Sequence, residues 1–335
     1  MVRVSVIIPV YNAAQWLGAC LDSVLSQSLR DIEVICIDDG STDSSPSILG
    51  TYQLADRRVR VIHQENAGQG MARNRGLEAA TGDYVYFMDA DDALAGPDVL
   101  ERLVAEAGRE RLDVLAFDAE TAVDEGRIGN AVRAETYIRR HDYSDVCPGR
   151  EFFSRLLKNR EYSASPCLVL LRRSFLAEHA LRFPGENIFY EDELFMPQVL
   201  LAAKRASHRP WRCYVRNVHA GSTVMSSPTM RHLRGSLACY ADSLRLLAMA
   251  GWDWRMRWAL ADRCALHKLR VRRIVDGYPA LLAAAGDELS PEESGQLREI
   301  RNYPFREKVA NGFRCLRDNG FVYTLRRIFL GRPQP

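Results

Sequence analysis

Two acidic residues one position apart, Asp89 and Asp91, follow the apolar run Tyr84–Met88. Carboxylates at the end of a buried strand are costly unless something compensates their charge. A hard divalent cation with oxygen ligands would compensate it, and it would also bind a diphosphate. The same residues fit a plain turn whose acidic side chains cap the helix that begins near Pro97. The short D-x-D pattern alone therefore leaves both a metal site and a helix cap open.

Three further polar positions are ambiguous in the same way. A carboxylate of the segment Asp38–Ser41 could accept a hydrogen bond from a nucleotide base or ribose, or could simply belong to a turn that caps a helix. Tyr11 follows the first apolar run, where it could stack on a base or pack against the protein. Arg73 and Arg75 follow a glycine-containing loop, and by default they are solvated helix arginines. None of these residues identifies a function by itself.

Short apolar runs alternate with segments of helical spacing along the first part of the chain, which predicts strands joined by helices. The predicted strands are Val4–Val10, Ile32–Ile37, Val59–His63, Tyr84–Met88 and Leu112–Phe117. Helix-length connections imply an α/β fold with a mostly parallel sheet and helices on both faces. In such sheets ligands bind beyond the carboxyl ends of the strands. Tyr11, Asp38 and Asp89 should therefore converge.

The rest of the chain is less regular. Residues 118–165 carry mixed charges and are interpreted as an insertion over the site. Cys167–Leu171 predicts another strand, Trp211–Arg216 predicts an edge strand, and the pattern beyond Ser227 is helical. The predicted segments are residues 1–117, 118–227 and a C-terminal helical region, 228–335.

The charge distribution bears on the kind of partner. The formal net charge is only +2, which argues against a nucleic-acid-binding protein, because such a protein would need a basic face along its body. From Arg301 to Pro335, however, eight basic side chains stand against two acidic ones. Residues 309–331 predict two short amphipathic basic helices, which fit either an anionic membrane surface or packing on the body.

The cysteines and the apolar runs bear on the compartment. The eight cysteines form no C-x-x-C pair, so a zinc or redox site has no support, and scattered cysteines suit a reducing cytosol. No apolar run approaches the roughly 20 residues of a membrane span, and the first run lacks a signal-peptide cleavage site. We expect a cytoplasmic protein, or one that is peripheral on the cytoplasmic face of the inner membrane.

Three segments, VSVIIPVYNAAQWLGACLDSVLSQSL, EVICIDDGSTDSS and HQENAGQGMARNRGLEAATGDYVYFMDADD, occur in that order. Together they resemble the nucleotide-binding half of the inverting family 2 glycosyltransferases, bacterial enzymes of surface-polysaccharide type with the Rossmann-like GT-A fold. The resemblance implies that Tyr11 and Asp39 hold a base, uracil, in a pocket shaped by Pro9 and Asn12. It implies that Arg73 reaches the base or phosphate side.

The resemblance also implies roles around the D-x-D motif. Asp89 would face the ribose or a metal-bound water, Ala90 would lie with the nucleotide-binding residues, and Asp91 would be a direct ligand of Mg²⁺ or Mn²⁺. Both ions suit an oxygen-rich site. The donor implied is a UDP-linked sugar, and the acceptor a glycan or a lipid-linked hydroxyl.

The segment YEDELF looks like the acidic motif of the same family, which implies Asp192 as the catalytic base and Glu191 as the reserve candidate. Acidic residues in the first turn of a helix also favour the helix dipole without any catalysis. In the segment YVRNVHAGST, the resemblance implies that Arg216 and Ser222 contact phosphate oxygens and that His219 completes the metal shell.

Three alternatives remain at this point. A non-catalytic, membrane-associated scaffold would keep the fold. A D-x-D phosphatase would carry its motif after the first strand, with Thr or Val following, whereas here Asp92 follows. A dinucleotide-binding oxidoreductase would need G-x-G-x-x-G after the first strand, where this chain has Tyr11–Ala14.

Overall fold

The computed structural model describes residues 1–123, 137–185, 188–218, 227–281 and 288–301. The chain divides into two compact units, residues 1–227 and residues 228–335. His219, Ser222 and the basic segment 309–331 lie outside the described residues.

The first unit is built on an eight-stranded sheet. Its strands are β1 (Val4–Val10), β2 (Ile32–Asp38), β3 (Val59–His63), β4 (Tyr84–Phe87), β5 (Ala93–Leu94), β6 (Val114–Val123), β7 (Val169–Arg172) and β8 (Ala206–Val218). The order across the sheet is β3-β2-β1-β4-β7-β6-β8-β5. Strands β1 to β4 are mutually parallel, as the sequence predicted. The carboxyl ends of these four strands therefore all lie on the same side of the sheet.

Helices cover both faces of this sheet. The first unit contains α1 (Leu17–Leu25), α2 (Ser45–Ala55), α3 (Gln69–Ala79), α4 (Val99–Arg109), α5 (Gly149–Lys158), α6 (Arg173–Glu178) and α7 (Glu191–Ala202). All seven residues of β1 are buried, because the strand lies between α1 on one face and α3 on the other. Gly76 of α3 sits so close to Ile7 that a Cβ there would lie 2.3 Å from Ile7 Cγ2. This contact brings α3 tightly onto β1.

The second half of the sheet corrects two sequence-based expectations, the start of the insertion and the edge strand, and it confirms the strand predicted over Cys167–Leu171. Strand β6 continues to Val123, so the first residues of the predicted insertion 118–165 belong to the sheet. Strand β7 is antiparallel to both β4 and β6 and lies between them. Strand β8 runs between β6 and β5 and is not an edge strand; the two-residue β5 occupies the edge. A run of two residues carries no periodicity, which is why the sequence could not reveal β5.

The second unit is helical over its described residues. It contains α8 (Met230–Ala248), α9 (Trp254–Gly277) and α10 (Pro291–Arg301). Leu237 of α8, Val271 of α9 and Ile300 of α10 are buried in one apolar cluster. Within the described parts of the chain, no helix is both long and apolar enough to cross a bilayer.

Candidate active site

A cluster of three carboxylates lies just beyond the carboxyl end of β4. One oxygen from each of Asp89, Asp91 and Asp92 lies within 4.8 Å of the other two. Strand β8 holds the cluster in place. The Tyr214 hydroxyl donates to Asp92 Oδ2 at 2.6 Å, and the Asn217 backbone N–H donates to Asp92 Oδ1 at 2.7 Å. The side-chain amide of Asn217 also donates to the Asp91 carbonyl oxygen at 2.7 Å.

The carboxylates of this cluster act on one another through their charges. Burial, and then the neighbouring charges of Asp89 and Asp91, raise the pKa of Asp92 to about 8. Crowded oxygen donors of this kind are the ligand set that Mg²⁺ and Mn²⁺ prefer. The residues present therefore fit a divalent cation, with Asp89 and Asp91 more accessible than the buried Asp92.

Arg73 of α3 connects this cluster to a second acidic group. Its guanidinium donates to Asp89 Oδ1 at 2.8 Å and to Glu191 Oε1 at 2.9 Å, and its side chain is only 3% exposed. Burial opposes the charge on Arg73, but the neighbouring negative charges, Asp89 first among them, together raise the pKa of the guanidinium. Arg73 is therefore a buried cation shared between two carboxylates and not a solvated helix arginine.

The second acidic group begins α7. Tyr190 adopts a left-handed conformation, with φ of 68°, immediately before the helix. Glu191 is buried and Asp192 is half-buried. Burial and the charge of Glu191 raise the pKa of Asp192 to about 7, while Arg73 acts in the opposite direction. A carboxylate whose pKa lies near neutrality is suited to general-base chemistry.

The turns after β1 and β2 are joined by hydrogen bonds. Asn12, whose φ is 50°, accepts from the Thr42 backbone N–H at 2.8 Å and donates its own N–H to Ser41 Oγ at 3.1 Å. Pro9 is buried within β1, whereas Tyr11 is 53% exposed at the strand end. Asn12 therefore shapes this corner through the protein backbone and leaves the Tyr11 ring accessible.

Asp38 and Asp39 are both buried but bind different segments. The carboxylate of Asp39 accepts from the backbone N–H groups of Ala67 and Gly68 at 2.8 and 2.9 Å, and from the Gln64 side chain at 2.7 Å. Asp38 Oδ1 accepts from the Ser41 N–H at 3.0 Å, and its Oδ2 lies 2.9 Å from His63 Nδ1. These carboxylates organise the loops at the strand ends.

Three residues that sequence reasoning left unassigned complete the site. Tyr214 and Asn217 hold the carboxylate cluster from β8. Tyr137 lies under the guanidinium of Arg216, 5.1 Å from its ring centroid. Asp92 could have been noticed as the third acidic residue of the run DADD. Nothing in the sequence indicates that residues of β8 bind Asp92.

Comparison with known proteins identifies the family. The family model described as glycosyl transferase family 2 matches residues 5–179, more than half of the chain. The chain belongs to glycosyl transferase family 2. This family span contains the carboxylate cluster, Arg73 and the turns after β1 and β2, and it ends before α7.

Two curated relatives agree with the family assignment. Glycosyltransferase GlyG of Streptococcus pneumoniae is 38% identical over 263 residues, 75% of this chain and 82% of that protein. The putative glycosyltransferase EpsH of Bacillus subtilis is 35% identical over 223 residues, 66% of this chain but 62% of EpsH. The match thus spans less than two thirds of the length of EpsH.

Solved structures show the same fold. Residues 1–349 of S. aureus TarS, in complex with UDP-GlcNAc, align with a TM-score of 0.61 at 20% identity, covering 97% of this chain and 90% of that one. The mannosyltransferase PcManGT of Pyrobaculum calidifontis, in complex with GDP-Man and Mn²⁺, aligns with a TM-score of 0.54 at 19% identity, covering 98% of this chain and 84% of that one. The GT-A fold of this family 2 member, with its C-terminal helical region, is therefore established.

Proposed function

We propose that the protein transfers a sugar from a nucleotide-diphosphate sugar to an acceptor hydroxyl, with inversion at the anomeric carbon. The observation that carries this proposal is the pairing of two acidic groups across Arg73. One is the carboxylate cluster at the end of β4, and the other contains a carboxylate whose pKa lies near 7. The first group suits a charged diphosphate with its cation, and the second suits removal of a proton.

The nucleotide would lie along the ends of β1 and β2. The exposed Tyr11 ring offers a surface on which a base can stack, and the loop 64–68 anchored by Asp39 would border it. Arg216, stacked on Tyr137 next to Asn217, would reach a phosphate oxygen. Uracil is the proposed base. TarS has been solved with UDP-GlcNAc and PcManGT with GDP-Man, so the shared fold accommodates more than one base.

The divalent cation would be held by Asp91 and Asp89. When bound, it would neutralise the charge that develops on the departing nucleotide diphosphate. Asp92 would support these two ligands without being the main ligand itself, because both of its oxygens already accept hydrogen bonds from Tyr214 and Asn217. Mn²⁺ and Mg²⁺ both suit these ligands.

Asp192 would serve as the general base. As the acceptor oxygen attacks the anomeric carbon, the Asp192 carboxylate would accept the hydroxyl proton from the face opposite the leaving nucleotide. Glu191 is less suited to this role, because its carboxylate is buried and bonded to Arg73. The acceptor would be a glycan or a lipid-linked hydroxyl, and the basic segment 309–331 would bring the enzyme to an anionic membrane surface.

Calorimetry tests the donor site directly. UDP is titrated into the wild type and into Asp91→Ala, each with and without Mn²⁺, and GDP and dTDP are titrated in parallel. We expect Mn²⁺-dependent UDP binding in the wild type that is lost in Asp91→Ala. The matched control is Asp31→Ala, since Asp31 is an exposed aspartate that precedes β2 at the opposite edge of the sheet. It should bind UDP like the wild type.

The outcomes separate the parts of the proposal. Tighter binding of GDP or dTDP than of UDP would replace uracil and keep the enzyme class. Binding of no nucleotide under any condition would remove the donor site. Transfer is then measured with UDP-sugars by release of UDP, where Asp192→Asn should lower kcat by about 10²–10⁴-fold with nucleotide affinity nearly intact.

A further inference from the structure

The buried guanidinium of Arg73 joins the carboxylate cluster to the start of α7 through one hydrogen bond on each side. We propose that Arg73 is a positioning residue that couples cation binding at Asp89 to the Glu191–Asp192 pair. In this proposal the two acidic groups compete for one buried positive charge. The inference rests on the proposed function, and it assigns Arg73 a role other than contact with the nucleotide.

The hydrogen bonds of Asp89 show why this charge is shared and not simply neutralised. Asp89 Oδ1 accepts both from Arg73 at 2.8 Å and from the Gln69 side chain at 2.8 Å, while the side chain as a whole stays 32% exposed. A cation that approaches Asp89 therefore meets a carboxylate already bonded to Arg73. A cation bound to Asp89 repels the Arg73 guanidinium and weakens the attraction between Asp89 and Arg73.

The rest of the Arg73 environment is closely packed around the guanidinium. The guanidinium lies 5.2 Å from the centre of the Phe183 ring. The backbone N–H and carbonyl of Phe183 each form a 2.9 Å hydrogen bond with the Asn74 side chain. The Phe183 ring stacks on the Phe195 ring, with 3.9 Å between the ring centroids. Within the described residues, Arg73 Nε is buried and has no hydrogen-bond partner. A buried donor without a partner costs free energy. The bonds of Arg73 to its two carboxylates therefore determine where the guanidinium lies, in spite of this cost.

Glu191 is equally confined. A Cβ at Gly70 would lie only 2.9 Å from Glu191 Cγ, so α7 begins in direct contact with α3 and the glycine makes room for this side chain. Glu191 cannot move away from Arg73 without leaving that contact. The side of the bridge that can respond to a ligand is therefore the accessible Asp89.

The competition predicts the direction of each effect. Removing the charge of Glu191 leaves Arg73 to Asp89 alone, which makes Asp89 a poorer ligand for a cation. Removing the charge of Arg73 makes Asp89 a better ligand. Because coupling between two sites is reciprocal, a cation at Asp89 must strengthen the hold of Arg73 on Glu191 by the same factor.

The test is direct titration of the full chain with Mn²⁺ alone, followed by electron paramagnetic resonance of the free ion. The variants are Glu191→Gln, Arg73→Met, Arg73→Lys and the double variant Glu191→Gln/Arg73→Met. The matched control is Glu106→Gln, because Glu106 is also a buried glutamate bonded to arginines, Arg109 and Arg209, on another helix. Melting curves establish that each variant is folded.

We expect Glu191→Gln to weaken Mn²⁺ binding by about 5-fold or more, the low end of coupling between sites. Arg73→Met should tighten Mn²⁺ binding, and the effect of Glu191→Gln should disappear in that background. Arg73→Lys keeps the positive charge as a single point donor, so it should keep the Mn²⁺ affinity near that of the wild type. Glu106→Gln should lower stability without changing Mn²⁺ affinity.

Four results would overturn the proposal. The first three are unchanged Mn²⁺ affinity in Glu191→Gln, an equal effect of Glu191→Gln with and without Arg73, and a wild type that binds no Mn²⁺ at millimolar concentration. Weaker Mn²⁺ binding in a folded Arg73→Met would also contradict it, since that is the result of mere structural damage. The proposed donor can fail separately, because these titrations contain no nucleotide.

Discussion

The pH dependence of transfer offers the sharpest check on Asp192. The structure raises the pKa of this carboxyl to about 7 through burial and the charge of Glu191. A general base acts only when it is deprotonated, so kcat/KM should rise with pH through this value. For a single group of that pKa, the deprotonated fraction increases about tenfold between pH ~6 and pH ~8. We therefore expect an approximately tenfold increase in kcat/KM over this interval.

The assay measures UDP release from a UDP-sugar at saturating Mn²⁺ across this pH range, with variants chosen to separate the two acids. Asp192→Asn should remove the pH dependence together with most of the rate. Glu191→Gln should remain active and move the rising limb to lower pH, because Glu191 raises the pKa of Asp192 and Arg73 lowers it.

Two outcomes would refute this reasoning. A flat profile in the wild type would mean that no carboxyl with a pKa near neutrality limits the reaction. Loss of all activity in Glu191→Gln, with a normal profile retained in Asp192→Asn, would transfer the role of base to Glu191. Circular dichroism on each variant separates these results from unfolding.

Three further perturbations test the surrounding structure. The pKa of Asp92 is raised to about 8 in the folded protein, whereas the ordinary value is about 4. The free energy of unfolding of the metal-free protein should therefore fall as pH rises between these two values. Asp92→Asn should thus gain melting temperature over the wild type as pH rises, and a constant difference would contradict this. Gly76→Ala places a Cβ 2.3 Å from Ile7 Cγ2 and should cost about 1–3 kcal/mol in chemical denaturation, whereas Gly50→Ala, with open space around it, should not destabilise. Arg216→Ala should raise KM for the UDP-sugar about tenfold or more, the cost of a lost charged hydrogen bond, and an unchanged KM would rule out its phosphate contact.

The first half of the fold could be predicted from the sequence, for a physical reason. Strands β1 to β4 are buried on both faces, so each one is a nearly continuous apolar run, and the helices between them force parallel pairing. The positions of Asp38 and Asp89 at the carboxyl ends followed from that arrangement. The family resemblance carried by these segments was confirmed by the match over residues 5–179.

The second half could not be predicted in the same way. Strand β8 mixes buried and exposed residues along its length. The apolar run of β7 predicts a strand, but it does not indicate that the strand lies antiparallel between β4 and β6. Partners of a strand are chosen by long-range packing, which short-range periodicity does not encode.

The sequence by itself determined which carboxylates lie at strand and helix ends, because local apolar patterns predict where strands and helices end. Only the tertiary structure decided how these carboxylates are compensated. Tyr214 and Asn217 reach Asp92 from a strand more than a hundred residues away. Arg73, Asp89 and Glu191 meet because α3, β4 and α7 pack together, and the burial that follows sets the charge balance of the site.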